Sequence, residues 1–252
     1  MNNEPVILAI ETSSRLGSVA LGFGNKIVAE TSFSGFMKHS SEIFPSVQRL
    51  LEQYDLTPDR IEHLYISNGP GSFTGLRIAV SFAKIMYLAN SLKIVAVDSL
   101  DVVAFNAIEI IKGQGGSEGI SDQTYGDVIN KIAVIIDAKR GQFFISEYNV
   151  IRNGSDLSLD KITDDSILSA GEFCQKASEQ DDTVWLLGDG LLYYSQEFKN
   201  GNIDFLEEKY WSPKASCVYK IGWEMAQNKK FNDPITLKPN YLFRPEIRVK
   251  LR

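Results

Sequence analysis

Asn68-Gly69-Pro70-Gly71-Ser72-Phe73-Thr74-Gly75-Leu76-Arg77-Ile78 is a glycine- and proline-rich loop between two apolar segments. Before it, Ile61-Glu62-His63-Leu64-Tyr65-Ile66-Ser67 is short and apolar-rich like a buried strand; after it, Leu76 to Ala89 is nearly continuous apolar sequence of helical length. A strand, loop and helix in this order put backbone N–H groups at the positive end of a helix dipole, the usual physical basis for holding phosphate. Gly69, Gly71 and Gly75 would let backbone approach a ligand closely. Glycine turns of the same spacing also serve backbone geometry alone, so two readings stand side by side.

Working outward, Val6-Ile7-Leu8-Ala9-Ile10 is an apolar run that ends in Glu11-Thr12-Ser13-Ser14. Ser18 to Phe23 and Lys26 to Thr31 follow as strands, with Gly24-Asn25 as a hairpin turn between them. From about Lys38 the period becomes helical, with Ile43, Phe44, Val47, Leu50, Leu51 and Tyr54 on one stripe, and Leu56-Thr57-Pro58-Asp59 ends it. Pro45 is awkward there unless it sits in the first turns or kinks the helix. The helix from Thr74 to Asn90 has Arg77, Ser81 and Lys84 as its only clear polar stripe. Such a helix is either sandwiched inside the domain or gives a face to another protein.

Lys93-Ile94-Val95-Ala96-Val97 is a further buried-type strand, and Asp98-Ser99 precedes a short helix from Leu100. Lys131 to Tyr148 then repeats the opening logic of apolar strand, acidic turn with glycine, and second strand. Thr183 to Gly190 adds a strand ending in glycines, and Ala215 to Asn228 a last helix. Two β-β-β-α-β-α-β units fit an α/β chain of two RNase H-like subdomains, each a mixed sheet flanked by helices, as in the actin, Hsp70 and hexokinase (ASKHA) class. The expected division is 1–102 and 103–252, with an exposed glycine-rich insertion at about 113–130.

A chain of 252 residues can bury an ordinary core without disulfide or metal staples. Cys174 and Cys217 have neither zinc nor redox spacing and read as reduced structural thiols. No signal or membrane segment is expected, which points to the cytoplasm. With 26 Lys+Arg against 32 Asp+Glu the net charge is −6, so the chain lacks the field of an autonomous nucleic-acid binder. Any RNA would be held chiefly by a partner. The one basic concentration is Arg244, Arg248, Lys250 and Arg252, a phosphate-seeking tail or a solvated segment.

These segments together resemble the TsaB (YeaZ) family of bacterial tRNA threonylcarbamoyladenosine biosynthesis proteins, relatives of TsaD. The resemblance is carried by Ile7 to Ser13, Ser18 to Leu21, His39-Ser40 leading to Phe44-Pro45, and Gly69 to Ile78. Val97 to Leu100, Ile136 to Gln142, Gly188-Asp189-Gly190 and Pro239 to Leu242 continue it; the region of the insertion falls outside the pattern. The resemblance implies a non-catalytic partner, or scaffold, of TsaD in the threonylcarbamoyl transfer that forms t6A37 in tRNA. It further implies a heterodimer with TsaD, TsaE in the larger complex, a possible homodimer, and tRNA contacts only through the complex.

The residues bear on catalysis independently. TsaD-like enzymes bind metal through a His-x-x-x-His pair just after the strand matching Ile94 to Val97, and those two positions here are Ser99 and Val103. A hydroxyl and a hydrocarbon cannot replace two imidazoles, so no metal site is expected. His39, before the first long helix, reads as a cap or interface residue, and His63 as a residue at a strand edge. Ser13, Ser14 and Ser72 lie in loops without an identifiable base, so no catalytic residue is assigned. The enzymatic alternative is a nucleotide- and magnesium-dependent ATPase, kinase or glycoprotease-like hydrolase using Asp98, Asp101 and Asp137 at strand ends.

In that alternative Glu11, Thr12 and Ser13 form one phosphate turn and Gly69, Pro70 and Gly71 the other. In the leading reading they are remnants: no cofactor is expected for the isolated chain, and ATP or ADP would bind at an interface with TsaD. The two long helices are expected to pack on the equivalent pair of TsaD or of a second copy, through His39, Ile43, Val47, Leu76, Ala79, Ala83 and Met86.

Overall fold

The computed structural model describes residues 4–34, 39–112, 129–154, 156–199 and 201–242; of Ser34, His39 and Ser40 only the backbone is described. Most of the expected insertion, residues 113–128, lies outside the described residues. The first repeat runs β1 (Val6–Glu11), β2 (Leu16–Phe23), β3 (Lys26–Ser34), α1 (His39–Gln53), β4 (His63–Ser67), α2 (Phe73–Asn90), β5 (Lys93–Val97) and α3 (Ser99–Ile111). The second runs β6 (Lys131–Lys139), β7 (Gln142–Asn153), β8 (Asp156–Lys161), β9 (Ser166–Leu168), α4 (Ala170–Ser178), β10 (Val184–Leu187), α5 (Leu191–Tyr194), β11 (Ile203–Phe205) and α6 (Ala215–Gln227).

The first sheet has the order β3-β2-β1-β4-β5, antiparallel through β3-β2-β1 and parallel through β1-β4-β5. The second has the order β8-β7-β6-β10-β11 with the same change of sense at β6, and β9 adds to β7. The same order twice makes the internal duplication explicit: the chain is two RNase H-like subdomains. The continuous apolar run of β1 follows from its place at the centre of a sheet covered on both faces, where every residue is buried.

One face of the first sheet carries α1 and α2, and Leu8, Ile10, Ile43, Leu50, Ala79, Ala83 and Ile94 form a core between them. Its other face carries Ile7, Ala9, Tyr65 and Val95 against Val218 and Tyr219 of α6. The last helix of the second repeat therefore closes the first sheet. Reciprocally, Leu100, Val103, Ala104 and Ala107 of α3 pack on the second sheet. α3 spans the boundary expected at residue 102, with Val102 on the first sheet's side and Val103, Ala104 and Ala107 on the second.

Beyond α6 the chain returns as a strap along the first sheet. Asn232 bridges to Ile94 on the edge strand β5, and its Oδ1 accepts from the Ala96 N–H at 2.7 Å. Leu237 is buried in the first core, and the Asn240 N–H donates to the Asn68 carbonyl at 2.8 Å. The strap thus satisfies an edge strand that would otherwise be open to other chains.

Candidate functional site

The two expected phosphate turns meet, and they close on one another. The Thr12 hydroxyl donates to the Gly75 carbonyl at 2.8 Å, and the Ser72 N–H donates to the Ser13 carbonyl at 2.7 Å. Ser72 caps α2 by accepting from the Gly75 N–H at 3.3 Å, and the Gly69 N–H goes to Ser99 Oγ at 3.1 Å. The Gly69, Ser72 and Gly75 N–H groups are therefore directed into the protein. A Cβ on Gly71 would lie 2.4 Å from the Ser13 carbonyl oxygen and one on Gly75 1.8 Å from that of Thr12. Glycine is needed at both positions for backbone to lie on backbone. Pro70, joined to Gly69 by a cis peptide bond, belongs to the same closed assembly.

Beside it lie two carboxyls, Glu11 fully buried at the end of β1 and Asp189 after β10 with its Oδ1 out of solvent. Burial pushes Glu11 up to about 7, only partly offset by the Ser13 and Ser67 hydroxyls and the Ser13 N–H. Burial also pushes Asp189 up to about 6, with Asp137 adding repulsion. Arg15 of the β1–β2 turn bridges to α5, donating to the Tyr193 hydroxyl and lying 5.0 Å over its ring.

The three aspartates weighed as magnesium ligands fall into two places. Asp137 accepts from the Lys139 N–H and pairs with its ammonium. Asp98 caps α3 through the Leu100 N–H at 2.8 Å, and Asp101 accepts from the Tyr148 hydroxyl at 2.7 Å. Lys161 of β8 lies 2.6 Å from Asp165, 3.0 Å from Asp101 and 3.8 Å from Asp98. Burial, then the hydrogen bond shared with Asp165, pushes Asp98 up to about 8; burial acts the same way on Asp165, but its hydrogen bonds outweigh it and hold it low. Ser99 is buried against Gly69, and Val103 is in the second core. Among the described residues no group of three or more His, Cys, Asp or Glu side chains could hold a metal ion. His63 opens β4, buried, with Nδ1 3.0 Å from the Tyr65 hydroxyl.

The outer face of α1 and α2 is different in kind. Between them runs a groove of about 380 Å³, with Phe44, Phe73, Arg77, Ile78, Phe82 and Ile85 in its lining. Phe44 is 51 % exposed, Ile85 53 % and Leu88 81 %. Phe44 meets Phe82 at a tilt with ring centroids 5.0 Å apart, and Arg77 lies 3.6 Å over the Phe73 ring. Of the apolar residues expected at an interface, Ile43, Val47, Ala79, Ala83 and Met86 lie not on the outer face but in the chain's own first core, because both helices lie flat on the sheet, and Leu76 is buried beside Gly69. The side chain of His39 lies outside the described residues. The exposed set was missed although a signal existed: Ile85 and Leu88 continue the outer stripe of Arg77 and Ser81 at helical spacing. Nothing local in sequence announces the Arg15–Tyr193 or Asp98–Lys161 pairs.

No helix of the described residues is long and apolar enough to cross a membrane. The family model for TsaD, tRNA N6-adenosine threonylcarbamoyltransferase, matches residues 31–180. The tRNA threonylcarbamoyladenosine biosynthesis protein TsaB of Bacillus subtilis (strain 168) is 28 % identical over 247 residues, covering 97 % of this chain and 96 % of its own. TsaB of Buchnera aphidicola subsp. Schizaphis graminum is 26 % identical over 225 residues, 89 % and 95 % of the two chains. The solved structure of YeaZ from Pseudomonas aeruginosa superposes with a TM-score of 0.73 at 19 % identity, over 94 % of this chain and all of that one, and shares the fold.

Proposed function

The chain belongs to the family of TsaD, the tRNA N6-adenosine threonylcarbamoyltransferase, and from that membership we propose that it serves tRNA threonylcarbamoyladenosine biosynthesis as a non-catalytic partner of TsaD. The observation that carries this reading is the groove between α1 and α2, with Phe44, Ile85 and Leu88 exposed along it. Apolar side chains gathered on one helix pair suit a protein partner. The closure of Thr12 and Ser13 on Ser72 and Gly75 supports a chain that leaves the chemistry to TsaD. On this reading ATP or ADP binds at the interface with TsaD, TsaE joins the complex, tRNA reaches this chain only through it, and a homodimer would use the same groove. The cytoplasm, where tRNA is modified, is its place.

The test is reconstitution: tRNA, purified TsaD and TsaE, and the threonylcarbamoyl donor, with this chain, without it, or with its Ile85→Glu variant. Modification should require the chain and fall with the variant. Turnover of ATP with magnesium by the isolated chain would overturn the reading in favour of the nucleotide-dependent enzyme.

A further inference from the structure

On α2 the groove is lined by two adjacent rows at four-residue spacing: Phe73, Arg77, Ser81 and Ile85 form one, and Thr74, Ile78 and Phe82 the other. The first row is exposed at every position. Its ends are bulky and Ser81 between them is small, so the ridge of another helix can approach α2 most closely at Ser81. One turn away stands Arg77, and it is fixed in place. Its guanidinium lies 3.6 Å over the Phe73 ring, and its Nε donates to the Tyr241 hydroxyl at 3.0 Å. Tyr241 is itself held, with its ring 5.1 Å from that of Phe73 and its neighbour Asn240 bonded to the Asn68 carbonyl. These contacts occupy one face of the guanidinium and one of its five N–H groups. No carboxylate pairs with Arg77 among the described residues, and the groove's lining contains no acid. Lys84, the next cation along α2, is turned away to the Ile235 carbonyl at 3.1 Å.

We infer that the groove takes a helix of a partner protein whose apolar stripe carries an Asp or Glu, and that this carboxylate closes on Arg77. A guanidinium already held in one geometry loses little freedom on pairing, and its two Nη groups match the two oxygens of a carboxylate. The apolar lining of Phe44, Ile78, Phe82 and Ile85 keeps water from such a pair and suits a protein helix rather than a hydrated polyanion. Phe73 and Tyr241 act as positioning residues for the guanidinium. The inference rests on the partner reading and adds to it the chemistry by which the groove selects one helix and fixes its register.

Calorimetry of TsaD against the unaltered chain and its Arg77→Met, Arg77→Glu and Arg77→Lys variants tests it. Arg77 is exposed, so all four forms should melt together. Arg77→Met keeps the bulk of the stem and should weaken binding about tenfold, the scale of one charge-assisted hydrogen bond. Arg77→Glu sets two carboxylates face to face and should weaken it about a hundredfold. Added salt should weaken the unaltered chain more steeply than Arg77→Met. With Arg77→Lys, a carbodiimide should join the amine at position 77 to a carboxyl of TsaD as an amide, found by mass spectrometry of the linked peptides. Equal affinity of Arg77→Met and the unaltered chain would overturn the inference, and so would a link from position 77 to a second copy of this chain. If the unaltered chain does not bind TsaD at all, the partner reading fails and takes this inference with it.

Discussion

Thr12 and Gly75 hold each other: the Thr12 hydroxyl donates to the Gly75 carbonyl at 2.8 Å, and a Cβ on Gly75 would lie 1.8 Å from the Thr12 carbonyl oxygen. Neither neighbour is a side-chain end that can swing aside. Gly75→Ala must therefore push β1 and α2 apart, at about 3 kcal/mol. Urea unfolding measures it, and a loss under about 0.5 kcal/mol, the range of neutral surface changes, would contradict the account of the loop as a backbone joint.

Glutamates placed on opposite sides of α2 separate interface from core. Ile85→Glu and Leu88→Glu add charge to exposed positions, so each should change stability by no more than about 0.5 kcal/mol while weakening copurification with TsaD. Ala83→Glu puts a carboxylate into the first core and should lose several kcal/mol, on the order of the cost of an unpaired buried charge. Thermal melts and a pull-down decide both. Loss of binding with Ala83→Glu at an unchanged melting temperature would mean that the inner face is an interface after all.

Much of this architecture was legible because central strands announce themselves. Val6–Ile10 and Ile132–Ile136 are uninterrupted apolar runs, each ending in an acidic turn, and the duplication follows from that pair. The long helices were also legible to within a residue or so, since their apolar periods are long. The exchange of α3 and α6 was not, because an apolar helix does not say which sheet it covers. The groove was half legible: the width of α2's apolar surface was readable, but inner Ala79 and outer Ile85 could be told apart only with the sheet in place. α4 escaped notice because only Ala170, Phe173 and Ala177 of its nine residues are buried.

Stability should fall as pH rises from about 5 to 8. Burial raises Glu11 from its ordinary 4.5 to about 7, Asp189 to about 6 and Asp98 to about 8. Between the unfolded and folded values the native state keeps a proton that the unfolded chain has released, so folding weakens as pH climbs. Glu11 alone corresponds to a loss on the order of 3 kcal/mol. Asp165, held low, acts the other way only at acid pH, below this window, and His63, held low by burial and Lys93, opposes the trend only below its ordinary 6.5. Melting temperatures from pH 5 to 8 should slope downward, and Glu11→Gln should flatten the slope. A rise over that range would refute the burial argument.

Asn106 is the joint between the repeats. Fully buried on α3, its Nδ2 donates to the Tyr210 and Ser212 carbonyls, each at 2.9 Å, and its Oδ1 accepts from Cys217 Sγ on α6 at 3.2 Å. Asn106→Ala strands two carbonyls and a thiol, at a cost of about 2–4 kcal/mol. Alongside urea unfolding, limited proteolysis should cut faster between Ser212 and Ala215 in the variant. Unchanged cutting would show that α6 is held by its apolar face alone.

The exchange of helices sets the order in which the protein can come into being on the ribosome. The first sheet is complete by Val97, yet Ile7, Ala9 and Tyr65 find their cover only when Ala215–Gln227 has emerged, more than a hundred residues later. At about 5–20 residues per second, that face of the nascent chain stays naked for some 6–24 seconds. The amino-terminal half, first to be made, is thus among the last to be finished, and a chain interrupted anywhere before α6 displays an open apolar sheet for cellular quality control to find.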